Sequence, residues 1–276
     1  MSHSIHPTAI VSKDAELGKD IEIGAYCIVE GDTKIGDRTQ LMPFSHICEH
    51  TILGLDCKVC EHATIGGAPQ DISYGGETTW VKIGDKVTCR EYVTVNRAVG
   101  EGESTIIEDD CLLMEGVHVA HNVRVGKGCT IANKTGLSGH VHVGDFAVIG
   151  GMSGFHQFVH VGSYCMVGGM SRVVKDVPPY CLASGAPLFV YDINKIGLRR
   201  HGIESDSRML IRRMYKIIYS SGNATKETLA NIEHEYGNTK EAKMILAFAA
   251  ESKRGLSPRI KLSTTRTYVV AEDENN

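Results

Sequence analysis

The 276-residue chain has no apolar run long enough to span a bilayer and no N-terminal hydrophobic stretch of the signal-peptide type, so a cytoplasmic protein is expected. It also lacks an excess of one charge. With 29 Lys and Arg against 33 Asp and Glu the formal net charge is −4, and net charge therefore implies no nucleic-acid partner. The length allows one or two domains with a real core. Nine cysteines raise the question of disulfides or metal, the sharpest pattern being the CxxC of Cys57 and Cys60. A reducing compartment gives disulfides little use.

What is present is a six-residue rhythm. Ile5, Val11, Leu17, Ile23, Val29, Ile35, Leu41, Ile47, Leu53, Val59 and Ile65 follow without a miss, and the register resumes at Ile83 and again from Ile107 to Val173. Four residues after each aliphatic comes a small or β-branched residue, as at Ala9, Cys27, Thr39, Thr51 and Ala63. A period of six fits neither a free helix nor an alternating strand; it is the signature of a hexapeptide β-helix with two inward positions per hexad. Aliphatic-Gly pairs recur at eighteen, as at Leu17-Gly18, Ile35-Gly36 and Leu53-Gly54, so three hexads make one coil. Coils stacked at roughly 4.8 Å give a parallel prism about 45 Å long. Cys27, Cys57, Cys111, Cys129 and Cys165 all fall on the inward small position, where a free thiol acts as a small hydrophobe.

The rhythm breaks over 66–82 and over 98–104, and insertions in a solenoid must leave the prism as loops. The longer one, with Pro, Gln, Asp, Tyr and Trp, reads as a binding loop, and the shorter one, rich in Gly and Glu, as a surface spacer. The hexads stop at Val177-Pro178-Pro179-Tyr180. The expected division is a β-helix domain over 1–188 and an α-helical domain over 189–276. In the second, Ser205, Thr225 and Thr239 are expected to cap helices, Gly255 to end the last one, and the tail from about Ser263 to be poorly ordered.

The eighteen-residue period also stacks polar residues. His121, Gly139 and Gln157 share one column, Asn122 and His140 the next, and Ser138 and His156 another; none of the histidines is at an inward position. A neutral imidazole beside a closely approachable glycine amide supplies a general base and an oxyanion donor, the parts needed for acyl transfer to a hydroxyl or amine. His118 belongs to the same wall. His142 and His160, one coil apart, keep a zinc site as the competing chemistry, but no three-histidine ligand spacing is evident and no metal is assigned.

With IGGAPQDISYGGE, TVNRAVG, LLMEGVHVAHN, LSGHVHVGDFAVIGGMSGFHQF, DVPPY and IGLRRHG in view, the chain resembles the acyl-carrier-protein-dependent UDP-N-acetylglucosamine O-acyltransferases, which open lipid A synthesis. The resemblance runs from the N-terminus to about Gly255. It implies a left-handed coil, a homotrimer with sites in the clefts between prisms, and no cofactor, the acyl-phosphopantetheine arriving on the acyl carrier protein. It further implies His121 as general base and the Gly139 amide as oxyanion donor. Gln70 and Asp71 would meet the glucosamine ring, His118, Asn122, His140, His156 and Gln157 would line the cleft, and Asn194 and Arg200 would contact the nucleotide or the phosphopantetheine arm. Gly169 matches the position that limits acyl length, where glycine leaves room for a long chain.

Three positions depart from the family's pattern: Asn122 stands for an aspartate, Ser73 for a loop lysine, and Asn96 for a histidine. They motivate two alternatives, a 3-amino sugar nucleotide as acceptor and a non-catalytic UDP-sugar-binding trimer. The related N-acyltransferases carry a further N-terminal domain, whereas the hexads here begin at Ile5. A basic span, with Lys195, Arg199, Arg200, Arg208, Arg212, Arg213 and Lys216 against Glu204 and Asp206, is a candidate docking patch for the acidic carrier protein.

Overall fold

The structure, a computed structural model, describes residues 4–260. Short parallel strands, most of them two residues long, make three sheets of 11, 9 and 8 strands. Through the Arg172–Val173 strand, strands pair at intervals of three, so successive strands turn through the three faces of a triangular prism. Register confirms the coil length: Ser4 faces Glu22 and Thr130 faces Val148, eighteen residues apart. Across the two interruptions the offset grows to thirty, as for Thr64 and Thr94, and to twenty-four, as for Thr94 and His118. The insertions thus add twelve and six residues, whole hexads, which is why the aliphatic register survives them.

Both inward series pack as expected. Ile47, Ile65, Leu113, Ile131, Leu137 and Ile149 are fully buried, and so are Ala63, Thr39 and Thr51 of the small series. Burying each Ile or Leu contributes roughly 1.5–3 kcal/mol, and the column of them holds the coils in register. All nine cysteines are free and buried. The five on the inward small position donate to carbonyls of the coil, for example Cys111 to Gly126 O at 3.1 Å and Cys165 to Pro178 O at 2.9 Å. The residue three after each inward aliphatic turns the corner with positive φ, from Asp20 and Tyr26 to Asn122, His140 and Phe158.

The prism closes with Cys181–Ser184, which pairs in parallel with Met166–Val167, and Phe189–Ile193, which folds back antiparallel to it. Four helices follow: α1 (Lys195–Arg200), α2 (Ser205–Ile218), α3 (Lys226–Tyr236) and α4 (Lys240–Glu251). Thr225 and Thr239 cap α3 and α4 through their side chains, as the sequence predicts. Ser205 does not cap α2: it is the first helical residue, and Glu204 holds the cap position without a side-chain bond. Gly255 is not the stop of α4, which ends at Glu251; it turns the chain three residues after the Ser252 cap with φ 75°. Ile211, Met214 and Ile218 of α2 are buried, and the Tyr215 hydroxyl donates to Pro179 O at 2.7 Å, seating the helix on the end of the prism. The tail from Ser263 lies outside the described residues.

Candidate active site

The corner that joins the His118–Val119 strand to the Arg124–Val125 strand carries the centre of the site. Asn122 occupies its left-handed position with φ 57°, a conformation that asparagine tolerates better than most residues. Its backbone N–H donates to Thr105 Oγ1 at 2.9 Å, and Thr105, on an inward small position, is fully buried. The Asn122 amide is held at both ends by the backbone of one residue, Val99. Oδ1 accepts from Val99 N–H at 2.9 Å, and Nδ2 donates to Val99 O at 3.0 Å. A backbone donor and a backbone acceptor cannot exchange roles, so the amide orientation is fixed.

That orientation sets the state of His121. Asn122 Oδ1 lies 2.9 Å from His121 Nδ1, and an oxygen there accepts, so Nδ1 carries a proton and in the neutral ring it is Nε2 that offers its lone pair to the cleft. His121 is only 5% exposed, although it points away from the core. It is covered by its neighbours: the His140 ring meets it edge-on at 5.3 Å, and Asp71 Oδ2 lies 3.4 Å from Nε2. Asp71 is anchored in turn, its Oδ1 accepting from the Ser73 hydroxyl at 2.6 Å and the Ser73 N–H at 2.8 Å. Those bonds, then the nearby His121 and His140, hold its carboxyl below the usual range.

Gly139 is wedged between the other two members of its column. A Cβ built there would lie 2.4 Å from His121 Cε1 and Nε2 and 2.9 Å from Gln157 Nε2, so no side chain fits. Its carbonyl accepts from Phe158 N–H, while its own N–H has no acceptor among the described residues. Gln70, Asp71, His118, His156 and Gln157 line one cleft of about 400 Å³ with His121 and Gly139, and Ala120 and Ser138 complete it. His118 shares a hydrogen with Thr94 Oγ1 at 2.8 Å, and burial holds it below the usual histidine range. His140 stacks on Phe158 at 4.7 Å and is held down by burial and then by His121, so both flanking rings favour the neutral form. His156 Nδ1 donates to Gln157 O at 3.0 Å, which leaves its Nε2 facing outward.

Other expected residues lie elsewhere on the chain. Asn194 is buried, and its amide is already engaged: Oδ1 caps α1 by accepting from Gly197 N–H, and Nδ2 donates to Tyr164 O, both at 3.0 Å. Arg200 is exposed in the last turn of α1. Gly169 sits exposed at a prism corner one coil above Gly151, where a Cβ would come 3.2 Å from Gly151 O. His142 and His160 lie across a different face, stacked at 4.6 Å and nearly parallel, in a groove of about 530 Å³ between the prism and α4.

The shorter insertion is not a spacer. Besides clamping Asn122 through Val99, it braces the longer loop: Gly100 N–H donates to Glu77 Oε1 at 2.9 Å, and Gly102 N–H to Thr78 O at 2.9 Å. Arg97, buried beside it, reaches Glu49 Oε1 at 3.1 Å and the Tyr74 hydroxyl at 3.4 Å. Val99 and Thr105 are therefore functional supports that the sequence pattern passed over. Thr105 had a signal, its inward position directly beneath a corner; a backbone contact such as that of Val99 had none.

Known proteins share this fold and its repeat pattern. Residues 32–67 and 104–139 match the bacterial transferase hexapeptide family, and residues 176–257 match the second domain of UDP-N-acetylglucosamine O-acyltransferase. The chain is 42% identical to the acyl-[acyl-carrier-protein]–UDP-N-acetylglucosamine O-acyltransferase of Thermodesulfovibrio yellowstonii, over 92% of this chain and 99% of that protein. The corresponding enzyme of Syntrophobacter fumaroxidans is 40% identical over 91% of this chain and 98% of its own length. Among solved structures, the UDP-N-acetylglucosamine acyltransferase of Bacteroides fragilis is 37% identical with a TM-score of 0.88, covering 91% of this chain and 99% of that one. The chain belongs to the acyl-[acyl-carrier-protein]–UDP-N-acetylglucosamine O-acyltransferase family.

Proposed function

We propose that the protein transfers an acyl chain from acyl carrier protein to the 3-hydroxyl of UDP-N-acetylglucosamine, with His121 as general base, in the first step of lipid A synthesis. The observation that carries the roles is the fixed tautomer. With Nδ1–H on Asn122, the Nε2 lone pair faces the cleft, where Asp71 Oδ2 is 3.4 Å away. A sugar entering there places its 3-hydroxyl on Nε2 and gives Asp71 a neighbouring hydroxyl to accept from. As O3 attacks the thioester carbonyl, its proton passes to Nε2. The tetrahedral oxyanion takes the Gly139 N–H, and collapse breaks the C–S bond. The proton held on Nε2 then goes to the departing phosphopantetheine thiolate. The neutral bias of His118 and His140 keeps further positive charge away from the imidazolium that forms.

The resemblance also supports a homotrimer in the cytoplasm. Tyr26, Phe44, His62 and Tyr92 stack in a ladder with centroids 5.1–5.2 Å apart along one prism edge, and Tyr26, Phe44 and Tyr92 are at least half exposed. A neighbouring copy would cover that apolar edge. Among the described residues no helix is long and apolar enough to cross a membrane. Carrier-protein docking falls to the exposed cations of α1 and α2, since Asp192 already pairs with Lys195 and Arg212. Mass spectrometry of the product formed from UDP-N-acetylglucosamine and a mixture of acyl carrier proteins tests reaction, acceptor and chain length together. An ester at the 3-position supports the proposal; no acylated sugar, or acylation only of a 3-amino acceptor, overturns it.

A further inference from the structure

We propose that Glu30, His46 and Cys48 form a binding site for a zinc-class divalent cation, separate from the acyl-transfer cleft. All three are on the sheet that carries His118. The strand of His46 and the strand of His118 are three steps apart, roughly 14 Å at the usual spacing. His46 and Cys48 flank the inward Ile47, so both side chains leave the prism on the same face. Glu30 is one coil below Cys48, because Val29 pairs with Ile47. The coil period thus brings a sulfur, an imidazole nitrogen and a carboxylate oxygen together, with the donor atoms all within 4.8 Å of one another.

The carboxylate is held for the task. Glu30 Oε2 accepts from Glu49 N–H at 2.9 Å, while Oε1 faces His46 Nε2 at 2.8 Å. Although burial opposes it, the Glu49 hydrogen bond, then that of His46 and the charges of His46 and Arg97, keep Glu30 below the usual carboxylate range. Cys48 differs from the five cysteines at the inward small position. It follows the inward aliphatic instead of occupying the small position, and among the described residues its thiol makes no hydrogen bond, whereas Cys27, Cys57, Cys111, Cys129 and Cys165 all donate to carbonyls. The buried, unpartnered thiol thus sits beside the Glu30 carboxylate and the His46 ring, within reach of a cation held between them.

A set of S, N and O donors selects zinc or cobalt over magnesium and calcium, which take oxygen alone. Entry of the cation between Nε2 and Oε1 replaces their hydrogen bond with two metal bonds, the ring proton moving from Nε2 to Nδ1 as the neutral imidazole changes tautomer. Cys48 gives up its proton to solvent and becomes the third ligand, so each ion bound releases a proton. The rigid coils make the site available without any folding step.

Cobalt(II) is the probe. Titration of the full chain is expected to give one ion per chain, a thiolate-to-cobalt band in the near ultraviolet, release of one proton, and bleaching when zinc displaces cobalt. Cys48→Ser should remove the charge-transfer band. His46→Ala and the conservative Glu30→Gln should each weaken binding by on the order of tenfold or more. Circular dichroism of the metal-free variants checks that the prism stands, and Glu30→Gln serves where Cys48→Ser does not fold. A band that survives Cys48→Ser, cobalt binding unchanged in Glu30→Gln and His46→Ala, or no cobalt bound at all would overturn the site.

Discussion

Asn122 is one of the three positions at which the chain departs from the pattern it resembles, and Asn122→Asp tests what it does there. The substitution keeps Oδ1, with its bonds from Val99 N–H and His121 Nδ1, and replaces Nδ2 with a second oxygen 3.0 Å from Val99 O. One hydrogen bond is lost and two acceptors are forced together in a buried corner. The expected loss of stability is about 1–3 kcal/mol. At His121 the effect is opposite in kind: a carboxylate against Nδ1 stabilises the imidazolium relative to the neutral ring. A general base needs the neutral ring, so the acid limb of kcat/KM should move to higher pH. Thermal unfolding and a pH profile of acyl transfer from pH 5 to 9 read the two effects separately. A variant as stable as the parent, with its acid limb unmoved, would refute the clamp and the tautomer it imposes.

Other outcomes follow from the same geometry. Gly139→Ala places a Cβ 2.4 Å from His121 Nε2 and should lower kcat roughly a hundredfold while UDP-sugar binding, read by calorimetry, persists. His142, held down to about 4 by burial and then by His160 and Arg124, is neutral in the fold, whereas the unfolded chain protonates near about 6.5. The unfolded state binds the extra proton, so stability is full above that value and falls as pH drops towards about 4. His142→Asn should flatten the unfolding midpoint over that range. The facing charges of the groove are Glu108, Asp109, Arg124, Lys127, Asp145, His160 and Glu251, which the substitution leaves in place. Reversing Arg199 and Arg213, both exposed, should raise KM for acyl carrier protein several-fold at low salt, an effect that fades as salt screens it. An unchanged KM argues against docking on that patch.

The prism was legible because its grammar is strictly local. One aliphatic and one small residue per hexad state which side chains are buried, and the eighteen-residue harmonic states which ones stack. His121, Gly139 and Gln157 were placed in one column on that ground, and the close approach at Gly139 bears it out. The same arithmetic also brings Glu30 and Cys48 together, although the polar side chains there drew no notice in the sequence. What the period could not convey is what a departure from the period does. The Gly- and Glu-rich insertion reads as a spacer by composition, yet the backbone N–H and C=O of its Val99 orient Asn122. Main-chain contacts of that kind leave no trace in residue identity. Ser205 misled for a related reason: a good capping residue one position inside the helix cannot cap it.

The central claim is that His121 takes the proton from the acceptor sugar, and His121→Ala tests it most directly. Single-turnover acyl transfer from acyl carrier protein to UDP-N-acetylglucosamine should fall below detection in the variant, while calorimetric binding of the UDP-sugar stays close to that of the parent. A variant that transfers the acyl chain at the parent rate would contradict the account.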